Sequence, residues 1–174
     1  MPSVERTYHL LADTMKLKHL ARTGWKRTAS PNESVADHSF GVAIIALALA
    51  KMESLNPTDE ALLLKRALLH DLHEVKIGDL TPDEKKKTMP DEAGVELEML
   101  TGTHLEDELP NLQSHSRLAV LANDADKLDM LLRAIENANA GNAKMGDFVS
   151  SALQQIKSES GKKIAKLALA RLRK

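Results

Sequence analysis

Apolar residues recur along this chain at spacings of three and four, the pattern of helices that bury one face. Strict alternation, the mark of a half-buried strand, is missing over any useful length, so an all-α chain is expected. A first helix is predicted over Val4–Leu20, and Arg22–Glu33 as a loop, because Gly24, Ser30 and Pro31 interrupt the pattern. Ser34-Val35-Ala36-Asp37 has the form of a capping box with Asp in the place of the commoner Glu or Gln, so a second helix should run from there to about Met52. Asn56-Pro57-Thr58 breaks the pattern. Thr58 is expected to cap a third helix that carries Leu62, Leu63, Leu64, Ala67, Leu68 and Leu69 and ends near His73. Gly78–Pro82 reads as a loop, Asp83–Leu100 as a polar helix interrupted at Pro90, and Ser116–Ala140 as a long helix stopped by Gly141. Two shorter helices complete the chain, and the basic C-terminal residues, from Lys162 to Arg173 and Lys174, are expected on a solvated helix face.

Composition narrows the chemistry. The 174 residues, 43% of them hydrophobic, suit one domain that buries a core without staples. There is no cysteine, so any metal must be held by His, Asp or Glu, and a thiol nucleophile is excluded. A net charge of −1 argues against binding a nucleic-acid polymer through its phosphates. With only four aromatics (Tyr8, Trp25, Phe40 and Phe148), stacking of single-stranded bases is disfavoured as well. The apolar runs are short and broken by charge, so no segment is expected to span a bilayer, and the N-terminus has no apolar leader core. A cytoplasmic protein acting on a small molecule is the resulting expectation.

Candidate chemistry starts at His38, which shares the apolar stripe of Val35, Val42, Ile45 and Leu49. By itself a core histidine with one hydrogen bond explains it. His70 and Asp71 close two leucine-rich stripes, and a buried aspartate there needs a partner, an arginine or a metal. Glu74 lies one turn beyond His70, where a general acid or base would stand if the helix persisted. In the long helix, Asp129 interrupts the stripe Leu118, Leu121, Ala122, Ala125, Leu132, and Asn123, Asp124 and Asp126 crowd beside it.

The order of these groups, with Arg22-Thr23-Gly24-Trp25, Asn32–Phe40, His70-Asp71-Leu72-His73-Glu74, Gly78-Asp79-Leu80 and Ala125–Met130, resembles the HD-domain phosphohydrolases, and within them the YfbR-like 5'-deoxynucleotidases. The match runs from about Leu17 to Met130. The resemblance implies a single all-α HD domain over 1–174, a bundle of about six or seven helices, with the motifs in a core of about 17–140 and a helical tail over 141–174. It implies one divalent ion held by His38, His70, Asp71 and Asp126, with Mn²⁺, Co²⁺ or Fe²⁺ favoured and Zn²⁺ in range. Glu74 and Asp79 take the catalytic places, and Arg22, Trp25, Arg27 and Thr81 the substrate contacts. Two carboxylates roughly neutralise the ion, so a phosphate dianion needs a further cation; Arg22 is the first choice among Arg22, Lys26 and Arg27. Trp25 would lie against the sugar and disfavour a 2'-hydroxyl. A homodimer releasing phosphate from (deoxy)nucleoside 5'-monophosphates follows. Two alternatives stay open: a diphosphohydrolase or phosphodiesterase acting on an alarmone or cyclic nucleotide, kept in play by His73, His104 and His115, and a non-catalytic nucleotide-sensing module.

Overall fold

The structure, a computed structural model, describes residues 1–114 and 116–173. His115 and Lys174 lie outside the described residues. The helices are α1 Val4–Thr14, α2 Thr23–Arg27, α3 Val35–Met52, α4 Pro57–Leu69, α5 Glu74–Ile77, α6 Pro82–Thr88, α7 Glu92–Leu100, α8 Leu109–Gln113, α9 Arg117–Asn139, α10 Gly146–Gln155 and α11 Glu159–Leu169, joined in places by 3-10 turns. Among the described residues the one β feature is an isolated antiparallel bridge, Ala21 to Ser34. The fold is all-α, as the periodicity requires. The expected six or seven helices undercount it, because α2, α5 and α8 are too short to show a period.

The chain divides into two compact units, Met1–Ser39 with Leu69–Ser114, and Phe40–Leu68 with His115–Lys174. The first unit is built around Leu10, Leu17, Val35, Leu72, Met99, Leu100, Leu109 and Leu112. Each such side chain contributes roughly 1.5–3 kcal/mol on burial. An exposed pair such as Lys16–Asp13 adds about 1 kcal/mol at most, so the leucine cluster is what holds this unit. The predicted first helix stops at Thr14 and continues only as the 3-10 turn Met15–Lys18. In the segment expected to be a loop, α2 carries Trp25 inward to 3% exposure. Arg22 N donates to Glu33 O at 2.9 Å and Val35 N to Leu20 O at 2.8 Å, which ties both ends of this segment to the base of α3. The capping box there is as predicted: Asp37 N donates to Ser34 Oγ at 3.1 Å and Ser34 N to Asp37 Oδ2 at 2.9 Å.

The second unit surrounds Val42, Ala46, Leu49, Leu63, Ala67, Leu121, Leu128, Leu131 and Ile135, with α10 and α11 packed on α9. The cap of α4 is Asn56, whose Oδ1 accepts Asp59 N at 3.0 Å, and not the expected Thr58. Pro57 takes the first helical position, where its missing N–H costs nothing. The buried stripe of α9 turns away from Leu132, which is 43% exposed, and runs through Leu128, Leu131 and Ile135. Asp129 instead faces Gly41: a Cβ at that glycine would lie 2.0 Å from Asp129 Oδ1, so only glycine allows the approach. The expectation that no segment has the length and apolarity to span a bilayer fails for α3, but its apolar residues Val35, Val42, Ala46, Leu49 and Ala50 are buried within the protein.

Candidate active site

Within the first unit the candidate side chains converge on one oxygen, Asp71 Oδ2. His70 Nε2 is 3.2 Å from it, Arg22 Nη1 3.3 Å and His38 Nε2 3.6 Å. The two imidazoles meet edge to face, with centroids 5.3 Å apart. His38 comes from the first turn of α3, fixed by the capping box. His70 and Asp71 come from the turn that follows α4, since that helix ends at Leu69 and does not reach His73. The backbone there tightens to bonds between residues three apart: Leu72 N to Leu69 O at 3.0 Å, Glu74 N to Asp71 O at 3.1 Å. Glu74 is therefore placed beside Asp71 by a tight turn, not by helical spacing from His70.

Gly78 ends α5 at φ +85°, a left-handed backbone that favours glycine, and delivers Asp79. Asp79 Oδ2 accepts the Thr23 N–H that opens α2, its backbone oxygen accepts Thr23 Oγ1 at 2.7 Å, and its Oδ1 is 3.5 Å from Arg22 Nη1. One guanidinium thus spans Asp71 and Asp79.

These neighbours set the protonation of the site. Burial would raise Asp71, but the charges of His70, His38 and Arg22, with a hydrogen bond from His70, hold it well below the usual carboxylate range. Glu74 goes the other way. Burial first, then the charges of Asp71 and Asp79, push it up to about 9, with Arg22 and Lys85 only partly opposing. It is 3% exposed, and its Oε2 has no hydrogen-bond partner among the described residues. Such a carboxyl is protonated at neutral pH and is suited to give up a proton.

Thr81 caps α6 in a reciprocal box with Glu84, and Arg27 Nη2 pairs with Glu84 Oε1 at 2.7 Å, so both are engaged with α6. Asp126 lies on α9 in the second unit, with Lys127 Nζ 2.7 Å from its Oδ2. His104 Nδ1 is hydrogen-bonded to Thr7 Oγ1 at 2.9 Å, an ordinary tie to α1. His73 is 5% exposed and held by Glu96 Oε1, 3.2 Å from its Nδ1. Lys85, on α6, went unnoticed in the sequence because a lysine among lysines looks like a solvated face; the structure half-buries it within electrostatic reach of Asp71 and Glu74.

Two imidazoles with buried Nε2 atoms, facing a carboxylate oxygen held anionic, are a donor set that fits a divalent cation. Residues 14–168 match the HD domain family, and the chain belongs to that family. It is 32% identical over 136 residues, 70% of this chain and 72% of the relative, to a 5'-deoxynucleotidase of Dictyostelium discoideum. It is 35% identical over 153 residues, 77% of each chain, to a 5'-deoxynucleotidase of Vibrio parahaemolyticus. The solved structure of the PH0347 protein of Pyrococcus horikoshii has a TM-score of 0.78 at 31% identity, over 94% of this chain and 97% of that one. The protein is thus an enzyme, a hydrolase of the HD phosphohydrolase family.

Proposed function

We propose that this chain is a 5'-deoxynucleotidase that releases phosphate from deoxynucleoside 5'-monophosphates. The observation that carries the reading is the buried Glu74, whose Oε2 has no hydrogen-bond partner among the described residues and whose pKa is raised by burial and by Asp71 and Asp79, beside the point where His38, His70 and Arg22 converge on Asp71. The relatives named above support the choice of substrate.

His38, His70 and Asp71, with Asp126 assigned by the sequence match, would hold one divalent ion, and Mn²⁺, Co²⁺, Fe²⁺ and Zn²⁺ all accept such nitrogen and oxygen ligands. When bound, the ion supplies Lewis acidity toward the phosphoryl group. The chain's own residues do the rest. Arg22, fixed between Asp71 and Asp79, is the cation that meets the phosphate. Water adds to phosphorus, the P–O5' bond breaks, and Glu74 gives its proton to the departing oxygen; the proton shed by the water restores Glu74. Asp79, expected alongside Glu74 as a proton carrier, is committed to Thr23 N and Arg22, and its role is to hold them in place. Trp25 favours substrates without a 2'-hydroxyl, and the working state is a cytoplasmic homodimer.

The test is metal analysis together with phosphate release from matched deoxy and ribo monophosphates, diphosphates and cyclic nucleotides. One ion per chain and faster turnover of dAMP, dGMP or dCMP than of the ribose forms are expected, with loss of activity on chelation. Two tight ions per chain with turnover of cyclic nucleotides would overturn the reading.

A further inference from the structure

The charges of this site leave a phosphate dianion short of partners. Arg22 is already shared by two carboxylates, at 3.3 and 3.5 Å. Lys85, six residues beyond Asp79, lies within electrostatic reach of Asp71 and Glu74. The capping box at Thr81 starts α6 two residues after Asp79, and Lys85 follows within the first turn, with its Nζ 2.7 Å from Glu92 Oε1. Glu92 in turn lies 3.7 Å from His73 Nε2, and His73 holds Glu96 on the same helix, α7. The ammonium is thus held by a carboxylate that has His73 Nε2 as a second neighbour. Desolvation would lower Lys85, but Glu92, Asp71 and Glu74 together keep it above the ordinary lysine range, so it is charged.

We propose that Lys85 is a second phosphate-binding residue of this site, whose ammonium leaves Glu92 for the dianion while Glu92 stays with His73. The proposal rests on the reading of the site as a phosphomonoesterase. A lysine suits the task because its long, flexible stem lets one compact charge move between two anions, whereas the guanidinium of Arg22 is fixed in its fork. The neighbouring Lys86 and Lys87 are exposed and take no part.

Calorimetric titration of the metal-loaded protein with inorganic phosphate tests this without any nucleotide. Lys85→Gln should weaken phosphate about tenfold, the usual scale for one lost charge-assisted contact, and raise KM for a monophosphate more than it lowers kcat. Lys86→Gln should leave both unchanged. Glu92→Gln removes the competing anion and should tighten phosphate binding. Phosphate bound by Lys85→Gln as tightly as by the wild type overturns the proposal. So does equal weakening by Lys85→Gln and Glu92→Gln, because the pair would then be only a strut between α6 and α7. Circular dichroism shows that each variant is folded. Failure of the deoxynucleotidase reading would appear in the substrate panel, and failure of the Lys85 proposal in phosphate affinity, so the two are told apart.

Discussion

Asp124 in the second unit and Glu74 in the first are both carboxyl groups sealed from water, at 0% and 3% exposure, and they are treated in opposite ways. Asp124 is satisfied at both oxygens: Lys157 N donates to Oδ1 at 2.9 Å and Ser158 N to Oδ2 at 2.7 Å, just ahead of α11. Gly161 lets the helix come close, since a Cβ there would lie 2.9 Å from Asp124 Oδ2. Glu74 has an oxygen with no hydrogen bond among the described residues and two carboxylates that act on its charge. Burying a polar group is expensive unless it is paired. Where the pairing is complete the carboxylate is architecture. Where it is incomplete, burial and neighbouring carboxylates make the carboxyl hold its proton to a higher pH.

The largest effect expected from this contrast is on turnover. Glu74→Ala should keep the metal and lose roughly a hundred- to ten-thousand-fold in kcat. If metal analysis shows that the variant has lost its ion, Glu74 is a ligand and the contrast collapses.

Asp124→Ala should do the reverse. Losing two hydrogen bonds to a buried carboxylate should cost about 3 kcal/mol of stability, a fall in Tm of roughly 6–12 °C for a chain of this size, while kcat per folded molecule holds. A fall in kcat with Tm unchanged would show that Asp124 serves the chemistry after all.

A smaller effect sharpens the comparison through pH. Because the folded state raises Glu74 to about 9 from 4.5, folding keeps a proton that the unfolded chain releases above about pH 4.5. Stability of the metal-free protein should therefore decline as pH rises between those values, and be unaffected by this group below them. Glu74→Gln removes that decline. Urea midpoints should show it more stable than the wild type by about 1–3 kcal/mol at pH 8, with no gap at pH 4. A gap that does not change with pH would mean that Glu74 is not the titrating group.

The smallest effect concerns Trp25, which is buried in the first unit. The ratio of kcat/KM for matched deoxy and ribo monophosphates does not depend on how much of the protein is folded. Trp25→Ala should narrow that ratio by about tenfold, the scale of one unpartnered hydroxyl in an apolar pocket. A ratio unchanged by the substitution would leave the tryptophan a packing residue only.

The legible parts of this molecule are those set by neighbours along the chain. The capping box at Ser34 and the stripe from Val35 to Leu49 are local, so both the start of α3 and the burial of His38 follow from spacing. The breakers at Asn56-Pro57 and Pro90 mark real helix boundaries for the same reason. Glu74 is a different case: the third helix looks continuous to His73, yet it ends at Leu69 and a run of tighter turns sets the position of the glutamate. Periodicity cannot register a change from four-residue to three-residue bonding over so few residues. Helix α2 escaped notice because five residues are too few to show a period.

The sequence by itself determined an all-α chain, the family, and the histidines and acids that face a common chemistry, because residue type and helical spacing act over one or two turns. Tertiary structure alone decided which acid is paired at both oxygens and which is buried with an oxygen left over among the described residues. Asp124, Asp126 and Asp129 sit within six residues of one helix, and nothing local distinguishes them. Two backbone N–H groups from residues 157 and 158, far along the chain, claim Asp124, and a glycine on α3 makes room for Asp129. The same holds for the raised pKa of Glu74, since its burial and the carboxylates beside it are brought about by separate turns. Hydrogen bonds and charges act through space at a few ångströms, and only the folded chain decides which groups come that close.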